Sequence, residues 1–589
     1  MAASDNTLSR RLLIAAVVLF VALGLGIDWW RRRARPPAPA PAVRLTSGAG
    51  LATEPAISPD GSLVAYASDR GSPALAIWVQ PRAGGAPRRL TTSGADSHSP
   101  SFSPDGASIV YRSEEGAGSV CVVPASGGAP RVVAHAGRDP RFSPDGKQLA
   151  YWVRETGQPD EVRVVASSGG ESRRICPECA AARFPLWSPD GRHLVFLGDT
   201  GRRWDWYAAP LDGGPPVRTG AQSILHIQDF RGDLVPTAWV RDAIFFTGQT
   251  ARGSNIWRMP IAPPLYQCAA GAVQVTAGAG YEASASAADG GAVVYAVSEV
   301  APAVWSLPLP SKRGAAPGEP EKLADGSGER LEAAVTADGR LIAFRRGDDI
   351  WVRELATGQE RALHARDLGD SPAVISPDGA TVVYGAEGAL YSIPVAGGEP
   401  ERIVEHAGHP LSWSPDGKSL LCQGGRRSVT LAYPSSEERP REILHDPDGN
   451  IYEPRFSPDG RWIAFHTGRP RPGREVWIVP FRPGPEPKES DWIHATEDGG
   501  SSRNPVWSPD GNTLYYLSER DGFRCIWAQP LDRAKHPRGK PFAMRHFHQA
   551  RRGLRSPRDP LAAGLAAAPG KLLFTAFETT GNIWAVQSR

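Results

Sequence analysis

Residues 55–91 read PAISPDGSLVAYASDRGSPALAIWVQPRAGGAPRRLT, and this stretch contains most of a unit that recurs along the chain. The tetrapeptide Ser-Pro-Asp-Gly at 58–61 has Ser, Pro and Gly at the positions that a type I turn prefers. An apolar run follows it, then a second run around Trp78, a Gly-Gly pair at 84–85 and a closing run at 88–91. Together with the strand that precedes the turn, these runs predict a four-stranded antiparallel sheet with tight corners.

The same tetrapeptide marks repeats throughout the chain. Intact copies begin at Ser58, Ser103, Ser143, Ser188, Ser376, Ser414, Ser457 and Ser508. Weaker copies lie at 287–290 and 336–339, around Asp242, and at 567–570. These copies predict twelve units with a period of roughly 40 to 50 residues, which is the length of a β-propeller blade.

Rings of this kind usually hold about 4 to 8 blades, so we predict an all-β fold with two tandem six-bladed β-propellers. The boundary falls near residue 320, giving a first propeller at 43–320 and a second at 321–589. The first propeller opens with a segment typical of a fourth strand, Val43 to Thr46. We expect this segment to complete the blade that contains Trp305, and residues 321–324 to complete the blade that contains Trp584.

The amino-terminal region predicts a membrane anchor. After a short tail at 1–11, residues 12–30 form an uncharged apolar run that ends in Asp-Trp-Trp, close to the roughly 20 residues of a transmembrane helix. An Arg cluster and then a Pro/Ala-rich linker occupy 31–42. A cleaved signal peptide is the alternative to a single-pass helix. The Arg residues on both flanks leave the orientation open, and the positive-inside rule taken alone favours a cytoplasmic body.

Composition excludes some functions. The net charge is +3, and the basic residues concentrate before residue 36 and between 532 and 560, which leaves a mildly acidic body. A nucleic-acid-binding domain would carry a basic stripe across its own surface, so we expect no nucleic-acid partner. Six cysteines are too few for a disulfide scaffold. Cys176 and Cys179 are interpreted as a local disulfide or two thiols rather than a metal or redox site.

The repeats carry a family resemblance. The pattern Pro-x-Phe/Trp-Ser-Pro-Asp-Gly, then apolar-Ala-Tyr, then Ile-Trp, Gly-Gly and Arg-Leu-Thr resembles the TolB-like (WD40-like) β-propeller repeats over about residues 43–589. Such propellers occur in periplasmic binding proteins, beside prolyl-oligopeptidase-like catalytic domains and as extracytoplasmic parts of membrane-anchored kinases and regulators. The anchor and linker resemble the last group, without its effector domain. The resemblance implies an inner-membrane protein with periplasmic propellers.

Motifs for catalysis are missing from the sequence. It contains neither the Gly-x-Ser-x-Gly of α/β-hydrolases nor a phosphate-binding Gly-x-x-x-x-Gly-Lys-Ser/Thr. We therefore expect a protein that is not an enzyme, with no catalytic residue and no cofactor, acting as a binding, scaffold or sensor module. The alternative is a lyase or hydrolase with its site in a propeller channel.

Binding residues are expected where the innermost strands begin, because loops on a rigid scaffold commonly carry binding function. The polar residues before the Pro of these strands are predicted to line the channel mouths and to receive a protein partner or small ligand: Glu54, Ser99, Asp139, Ser371, His409, Glu453 and Asn504. Phe184 occupies the same position in another unit.

His546 and His548 share one face of a predicted strand, where a metal could bridge them. With no carboxylate or third His nearby in sequence, a solvated strand edge is favoured and no metal is predicted.

Overall fold

The Ser-Pro-Asp-Gly corner organises each sheet through short local hydrogen bonds in the computed structural model. The Ser58 hydroxyl donates to Asp60 Oδ1 at 2.5 Å, and the amide nitrogen of Leu63 donates to Ser58 Oγ at 2.9 Å. Hydrogen bonds from Ser58 and Ser62 lower the pKa of the exposed Asp60 carboxyl to about 2. Gly61 has a φ of 74°, a conformation that glycine adopts without steric cost. The repeated tetrapeptide is therefore an architectural turn, as its sequence predicts.

The structure describes residues 41–587 except 117, 155–157, 202–203, 233, 252, 262, 264–265, 269–270, 311–316, 327–331, 366, 370, 437, 469–473, 483–485, 497–500 and 556–563. The first half of this range contains strands β1 to β23 and helix α1. Their bounds are β1 Val43–Arg44, β2 Ala52–Ile57, β3 Leu63–Ser68, β4 Ala76–Pro81, β5 Arg88–Arg89, β6 Ser97–Phe102, β7 Ser108–Ser113, β8 Ser119–Pro124, β9 Arg131–His135, β10 Gly137–Phe142, β11 Gln148–Val153, β12 Glu161–Ala166, β13 Arg173–Ile175, β14 Ala181–Trp187, β15 His193–Asp199, β16 Trp204–Pro210, β17 Val217–Arg218, α1 Ala221–Ile227, β18 Pro236–Val240, β19 Ala243–Thr250, β20 Gly253–Pro260, β21 Val273–Gln274, β22 Tyr281–Ala287 and β23 Ala292–Pro308.

The second half contains strands β24 to β47 and a short 3₁₀ helix at Glu489–Asp491. Their bounds are β24 Glu321–Asp325, β25 Ala334–Val335, β26 Leu341–Arg346, β27 Asp349–Glu354, β28 Glu360–Leu363, β29 Ala373–Ile375, β30 Thr381–Ala386, β31 Ala389–Pro394, β32 Glu401–Glu405, β33 His409–Trp413, β34 Leu420–Gln423, β35 Ser428–Ala432, β36 Arg441–His445, β37 Asn450–Phe456, β38 Trp462–Gly468, β39 Arg474–Pro480, β40 Ile493–His494, β41 Arg503–Trp507, β42 Thr513–Ser518, β43 Cys525–Pro530, β44 Phe542–Arg545, β45 Arg552–Gly553, β46 Leu565–Ala568 and β47 Lys571–Gln587.

The sheets are built from antiparallel groups of four strands. Nine sheets hold four consecutive strands each, from β2-β3-β4-β5 to β41-β42-β43-β44. The remaining sheet has eleven strands and combines the group β18-β19-β20-β21 with two groups that share the long strands β23 and β47. The all-β class predicted from the repeats is confirmed.

The first strands of these groups contact one another in two closed cycles. In one cycle β2, β6, β10, β14, β18 and β22 follow each other, and β22 returns to β2. In the other, β25, β29, β33, β37, β41 and β46 follow each other, and β46 returns to β25. We call the sheets around these cycles the first ring and the second ring.

Strands β23 and β47 pass from one ring to the other. They pair antiparallel without a break from Ala292 opposite Gln587 to Pro308 opposite Lys571. The half of β23 that begins at Ala292 pairs with β22 in the first ring, whereas the half that ends at Pro308 pairs with β24 in the second. Each of the two long strands therefore contributes one half to the last four-stranded group of the first ring and its other half to the last four-stranded group of the second ring.

This pairing corrects one expectation. Val43 and Arg44 pair with Ala585 and Trp584, so they complete the group that contains Trp584 and not the one that contains Trp305. Conversely, Glu321 and Lys322 of β24 pair with the Trp305 end of β23. The expected partners of Val43–Arg44 and of Glu321–Lys322 are exchanged because β23 and β47 each continue straight from one ring into the other. In the other units, a turn separates the second strand from the third and keeps both in the same ring.

Apolar side chains fill the space between adjacent sheets. An aromatic residue lies six positions after most corner Asp residues and is buried in each case; completely buried examples are Tyr66, Phe196, Phe344, Phe465 and Tyr516. Burying each such side chain contributes roughly 2 to 3 kcal/mol. These layers hold the inner strands at fixed positions around each axis.

The predicted tail at 1–11, the predicted transmembrane helix at 12–30 and nearly all of the linker at 31–42 lie outside the described residues. Within the part of the chain that the structure describes, no helix has the length and apolar character that a membrane crossing requires.

Cys176 and Cys179 form a disulfide, which is one of the two states expected for this pair.

Candidate functional site

The inner strands of the first ring share a local distortion where binding residues are predicted. Glu54, Ser99, Asp139 and Phe184 precede a Pro and have φ between 46° and 56°. Ser284, at the matching position of β22, has a φ of 56°. The pairing register shifts at each of these positions, as in a β-bulge. Positive φ is unusual outside glycine, and bulges commonly re-aim a side chain, so its repetition marks a position that the ring holds in place.

These residues surround a cavity of about 190 Å³ on the axis of the first ring. Its lining combines the polar side chains of Glu54, Ser99, Asp139 and Arg141 with Phe184 and the prolines of the inner strands. The structure thus brings together the predicted residues Glu54, Ser99 and Asp139, which are separated by about one repeat each in sequence. Arg141 was missed by the sequence reasoning, although it follows Asp139 by two residues along the same inner strand.

A hydrogen-bonded chain connects the three predicted residues. The amide nitrogen of Ser99 donates to Glu54 Oε2 at 2.7 Å, and the Ser99 hydroxyl donates to Asp139 Oδ1 at 3.0 Å. The indole nitrogen of Trp152 donates to Asp139 Oδ2 at 2.6 Å. Hydrogen bonds to ionised groups are shorter and stronger than neutral ones, so these contacts fix the orientation of both carboxylates.

His98 adds a titratable group at the same place. Its Nδ1 lies 3.5 Å from Glu54 Oε2, and its Nε2 lies 3.8 Å from Asp96 Oδ2. Burial opposes the charged form of His98, but the hydrogen bond and charge of Glu54, together with the charges of Asp96 and Glu114, outweigh it and raise the His98 pKa. Burial likewise opposes ionisation of Glu54, yet its contacts with His98 and the Ser99 amide hold the Glu54 pKa below its usual value. The pair therefore favours an ionised Glu54 beside a protonated His98.

Arg141 is the cation inside the cavity. Burial lowers its pKa, and the nearby carboxylates of Asp139 and Glu54 act in the opposite direction. Two carboxylates, a hydroxyl and a guanidinium around one small cavity suit a ligand with an ammonium or amide donors. A peptide amino terminus or a basic side chain has this chemistry.

Arg138, next to the cavity residue Asp139 in sequence, contacts the second ring. The Arg138 guanidinium lies over the rings of Trp152, at 5.5 Å, and of Phe523, at 5.0 Å. Its Nη2 donates to the carbonyl oxygen of Gly522 at 3.3 Å. Since Trp152 also holds Asp139, the cavity of the first ring lies close to the junction between the two rings.

In the second ring, Glu453 and Asn504 have the same positive φ, 51° each, so the distortion is not limited to the first ring. Ser371 is buried and its hydroxyl accepts from the Gly385 amide at 2.8 Å, while His409 is exposed. Glu453 Oε2 accepts from Arg455 Nη2 at 2.9 Å. The backbone amide of the buried Asn504 lies 3.3 Å from His466 Nδ1.

None of these four residues, among those the structure describes, lines the larger cavity of the second ring. That cavity has a volume of about 330 Å³ and is mainly apolar, with Val374, Trp413, Phe456 and Trp507 among its lining residues. Arg455 is its one guanidinium among the described lining residues. The two rings therefore present different surfaces to a ligand, a polar one in the first ring and an apolar one in the second.

A buried charged cluster near Asn504 escaped the sequence reasoning. Glu519 Oε1 accepts from Arg524 Nη2 at 2.8 Å and lies 3.6 Å from Arg503 Nη2. Burial opposes ionisation of Glu519, but the surrounding arginines outweigh it and lower its pKa to about 2. Glu519 follows β42 by one residue, so its position could be inferred only once the strand ends were known.

The chain is similar in sequence to several known proteins, two of which are named as a protease or a peptidase. No protein-family model matches the chain. It is 27% identical over 453 residues to tricorn protease homolog 1 of Streptomyces coelicolor, covering 65% of this chain and 41% of the relative. It is 32% identical over 152 residues to an uncharacterised protein of Agrobacterium fabrum, covering 24% of this chain and 49% of the relative. It is also 32% identical over 97 residues to the uncharacterised peptidase YuxL of Bacillus subtilis, covering 16% of this chain and 14% of the relative. The chain spans less than half the length of each of these relatives.

Solved structures give a coarser likeness. The tricorn protease matches with a TM-score of 0.33 and 14% identity, over 82% of this chain and 50% of that one. TolB from Acinetobacter baumannii matches with a TM-score of 0.24 and 15% identity, over 67% of this chain and 65% of that one. The chain itself is all-β and is built from four-stranded antiparallel groups of the kind that make up propeller blades.

The comparisons contradict the expectation that the protein is not an enzyme. Tricorn protease homolog 1 and YuxL are both named as peptidases or proteases. The expectation was wrong because it rested on the absence of a Gly-x-Ser-x-Gly motif and of a phosphate loop. Repeats like those of this chain also occur in proteins named for peptidase activity.

Proposed function

We propose that this chain is a propeller scaffold of a peptidase system and that it binds polypeptide at the polar cavity of the first ring. The observation that carries the proposal is the convergence of Glu54, Ser99, Asp139 and Arg141 on one cavity of about 190 Å³. The first three of these residues share a positive φ and lie at equivalent positions of neighbouring inner strands.

The chemistry of the cavity supports a peptide ligand. Its two carboxylates would pair with an amino terminus or a basic side chain, and the Arg141 guanidinium would donate a hydrogen bond to a peptide carbonyl oxygen. The names of two relatives support the same class of ligand, since peptidases act on polypeptides.

Binding of a basic, fluorescently labelled peptide to the purified full chain tests this proposal. Replacing Glu54 with Gln keeps its shape and removes its charge, and loss of a charged hydrogen bond costs about 1.5 to 3 kcal/mol. We expect Glu54→Gln and Asp139→Asn each to raise the Kd by roughly 10- to 100-fold, measured by fluorescence anisotropy.

Glu453→Gln is the matched control, because Glu453 occupies the corresponding position of β37 in the second ring and pairs with Arg455. It should leave the Kd unchanged. Equal weakening by Glu453→Gln and Glu54→Gln, or no weakening by Glu54→Gln and Asp139→Asn, would contradict a site in the first ring.

Peptide hydrolysis by this chain is a second candidate function, favoured by the two relatives named as peptidases. Incubating the full chain with a quenched fluorescent peptide library and analysing the products by mass spectrometry tests it. Cleavage that disappears in Ser99→Ala but persists in Ser371→Ala would place the reaction in the first ring. A complete lack of cleavage would leave binding as the function of the cavity.

For the architecture we propose two six-bladed β-propellers of the TolB-like type, one for each cycle of inner strands. We further propose that residues 12–30 anchor the protein in the inner membrane and that the rings lie in the periplasm, where the partner or ligand binds. Carbonate extraction of membranes tests the anchor. Alkaline phosphatase fused at the carboxyl terminus tests the side, since this enzyme becomes active only outside the cytoplasm, and an inactive fusion would reverse the orientation.

A further inference from the structure

Four side chains with metal-binding atoms meet at one edge of the second ring. They are Asp521, Cys525, His546 and His548, and their ligand atoms all lie within 4.8 Å of one another. Asp521 Oδ2 lies close to both histidines, 2.8 Å from His546 Nδ1 and 3.0 Å from His548 Nε2. Among the residues that the structure describes, no other group of three or more His, Cys, Asp and Glu side chains is arranged in this way.

The fold brings these residues together from two separate stretches. Asp521 lies in the turn between β42 and β43, and Cys525 is the first residue of β43. Ile526 pairs with Arg545, the last residue of β44, so the chain that follows β44 runs past the start of β43. His546 and His548 therefore reach the same end of the sheet as Asp521 and Cys525.

This arrangement removes the reason for setting the two histidines aside. The sequence reasoning found no carboxylate near His546 and His548 and interpreted them as a solvated strand edge. The structure supplies the carboxylate of Asp521 and adds the sulfur of Cys525. The signal could have been found by pairing the start of the third strand with the end of the fourth.

We propose that Asp521, Cys525, His546 and His548 form a binding site for one divalent transition-metal ion of the zinc class. Two imidazoles, a thiolate and a carboxylate make the mixed N, S and O donor set that such ions take, commonly in tetrahedral geometry. The two anionic ligands balance the charge of the ion. Binding forms a metal–sulfur bond at Cys525, and the thiol proton leaves to solvent.

Burial divides the site into a closed side and an open side. Cys525 is completely buried, whereas the side chain of His546 is 51% exposed and that of His548 is 40% exposed. An ion can thus enter past the histidines and reach the sulfur. Bond lengths of about 2.0 to 2.3 Å place tetrahedral donor atoms roughly 3.3 to 3.8 Å apart, so the exposed histidines need to move by about 1 Å.

Neighbouring groups hold the ligands in orientation. The backbone amide of Phe547 lies 3.3 Å from Cys525 Sγ and points its hydrogen at the sulfur. The amide of Phe523 donates to Asp521 Oδ1 at 3.2 Å, which leaves Oδ2 directed at the histidines. The His548 ring stacks on Phe523 with 4.4 Å between centroids. Such supporting contacts are usual around metal ligands and contribute to affinity.

The site lies where the two rings meet. Phe523 packs under Arg138 of the first ring. Two residues after His548, the amide of Ala550 donates to Asp96 Oδ2 at 2.9 Å, and Arg551 Nη1 donates to Asp69 Oδ2 at 3.0 Å. A bound ion would join the two stretches of the second ring that contact the first, and so stiffen the junction.

Cobalt titration of the purified, metal-stripped full chain tests the proposal. We expect one Co²⁺ per chain, visible ligand-field bands of a tetrahedral ion, and a near-ultraviolet sulfur-to-cobalt charge-transfer band. Zn²⁺ should displace the cobalt and raise Tm. Cys525→Ser should remove the charge-transfer band, and the exposed His546→Ala should weaken binding by at least the 10- to 100-fold typical of losing a supporting group.

Two matched variants separate this site from other thiols and histidines. Cys422→Ser replaces another fully buried cysteine in a strand of the second ring, and His364→Ala replaces an exposed histidine whose Nδ1 lies 3.2 Å from Asp349 Oδ1. Both should bind cobalt like the unmodified chain. Circular dichroism of each metal-free variant checks its fold. Failure of the unmodified chain to bind one equivalent, or unchanged binding in a folded His546→Ala, would overturn the proposal.

Discussion

The exchange of strands between the rings makes a sharp prediction for two positions on β47. Ile583 is completely buried among Ala52, Ile57, Val64, Tyr66 and other residues of the first ring. Leu573, ten residues earlier on the same strand, is completely buried against Val304, Ile342 and Phe344 in the second ring. Substitutions at these two positions should therefore destabilise different rings.

The magnitude follows from the burial of each side chain. Ile583→Ala removes three buried carbons, which at about 0.8 kcal/mol each gives roughly 2.4 kcal/mol of lost transfer free energy. The cavity left behind increases the loss to a total within the 2 to 5 kcal/mol seen for such substitutions. At about 3 kcal/mol, amide exchange that requires opening of the ring should become more than 100-fold faster.

Hydrogen–deuterium exchange with mass spectrometry measures this effect segment by segment. Ile583→Ala should accelerate exchange in β2, β3 and the first half of β23, while Leu573→Ala should accelerate it in β26 and β24. Ile583→Val, which removes one carbon, should cost about 0.5 to 1.5 kcal/mol and give the same pattern at lower amplitude. Faster exchange in β26 but not in β3 on Ile583→Ala would refute the strand exchange.

Two further predictions concern single side chains. Because the His98 pKa is raised in the fold, the pairing of His98 with Glu54 stabilises the fold fully below the pKa of an unfolded His, and this stabilisation is lost as the pH rises through the folded pKa of His98. The Glu54 pKa is lowered in the fold, so Glu54 contributes stability above the pKa of an unfolded Glu, and that stability is lost as the pH falls through the folded pKa of Glu54. The Tm difference between the unmodified chain and His98→Gln should therefore be largest in the mildly acidic range and shrink toward pH 9, and a difference that grows with pH would contradict the pairing. Ser58→Ala leaves the partly buried Leu63 amide without its side-chain acceptor and should cost about 1 kcal/mol in thermal unfolding, whereas Ser62→Ala at an exposed neighbouring position should cost much less.

Local chemistry made the repeating sheets predictable from the sequence. Each Ser-Pro-Asp-Gly corner closes on itself, since Ser58 Oγ, Asp60 and the amide of Leu63 need no distant partner. The buried aromatic residues follow at a fixed interval because alternate residues of a strand face the same side. The same reasoning placed Glu54, Ser99 and Asp139 at equivalent positions, and the ring brings them together.

The passage of strands between rings was not predictable in this way. Val304-Trp305 and Ile583-Trp584 have the same local pattern, so each is an equally good third strand for either ring. The distinguishing signal is the missing turn: residues 297–302 lack the glycine that Gly71 supplies between β3 and β4. The cluster around Asp521 was missed for a related reason, because Asp521 belongs to a turn whose position depends on how β43 and β44 are aligned.

The strand exchange also constrains the order in which the fold can close. All of the second ring, from the end of β23 to the start of β47, lies in the chain between two adjacent strands of the first ring. The last sheet of the first ring needs Val43 and Arg44 from one end of the described chain and Trp584 and Ala585 from the other. Bringing together segments so far apart in sequence has a large entropic cost of loop closure while the chain between them is unfolded. This cost falls once the second ring is compact. We therefore expect the first ring to complete its closure after the second ring has formed. Contacts at the junction, such as Arg138 on Phe523 and Ala550 on Asp96, then stabilise both rings at once.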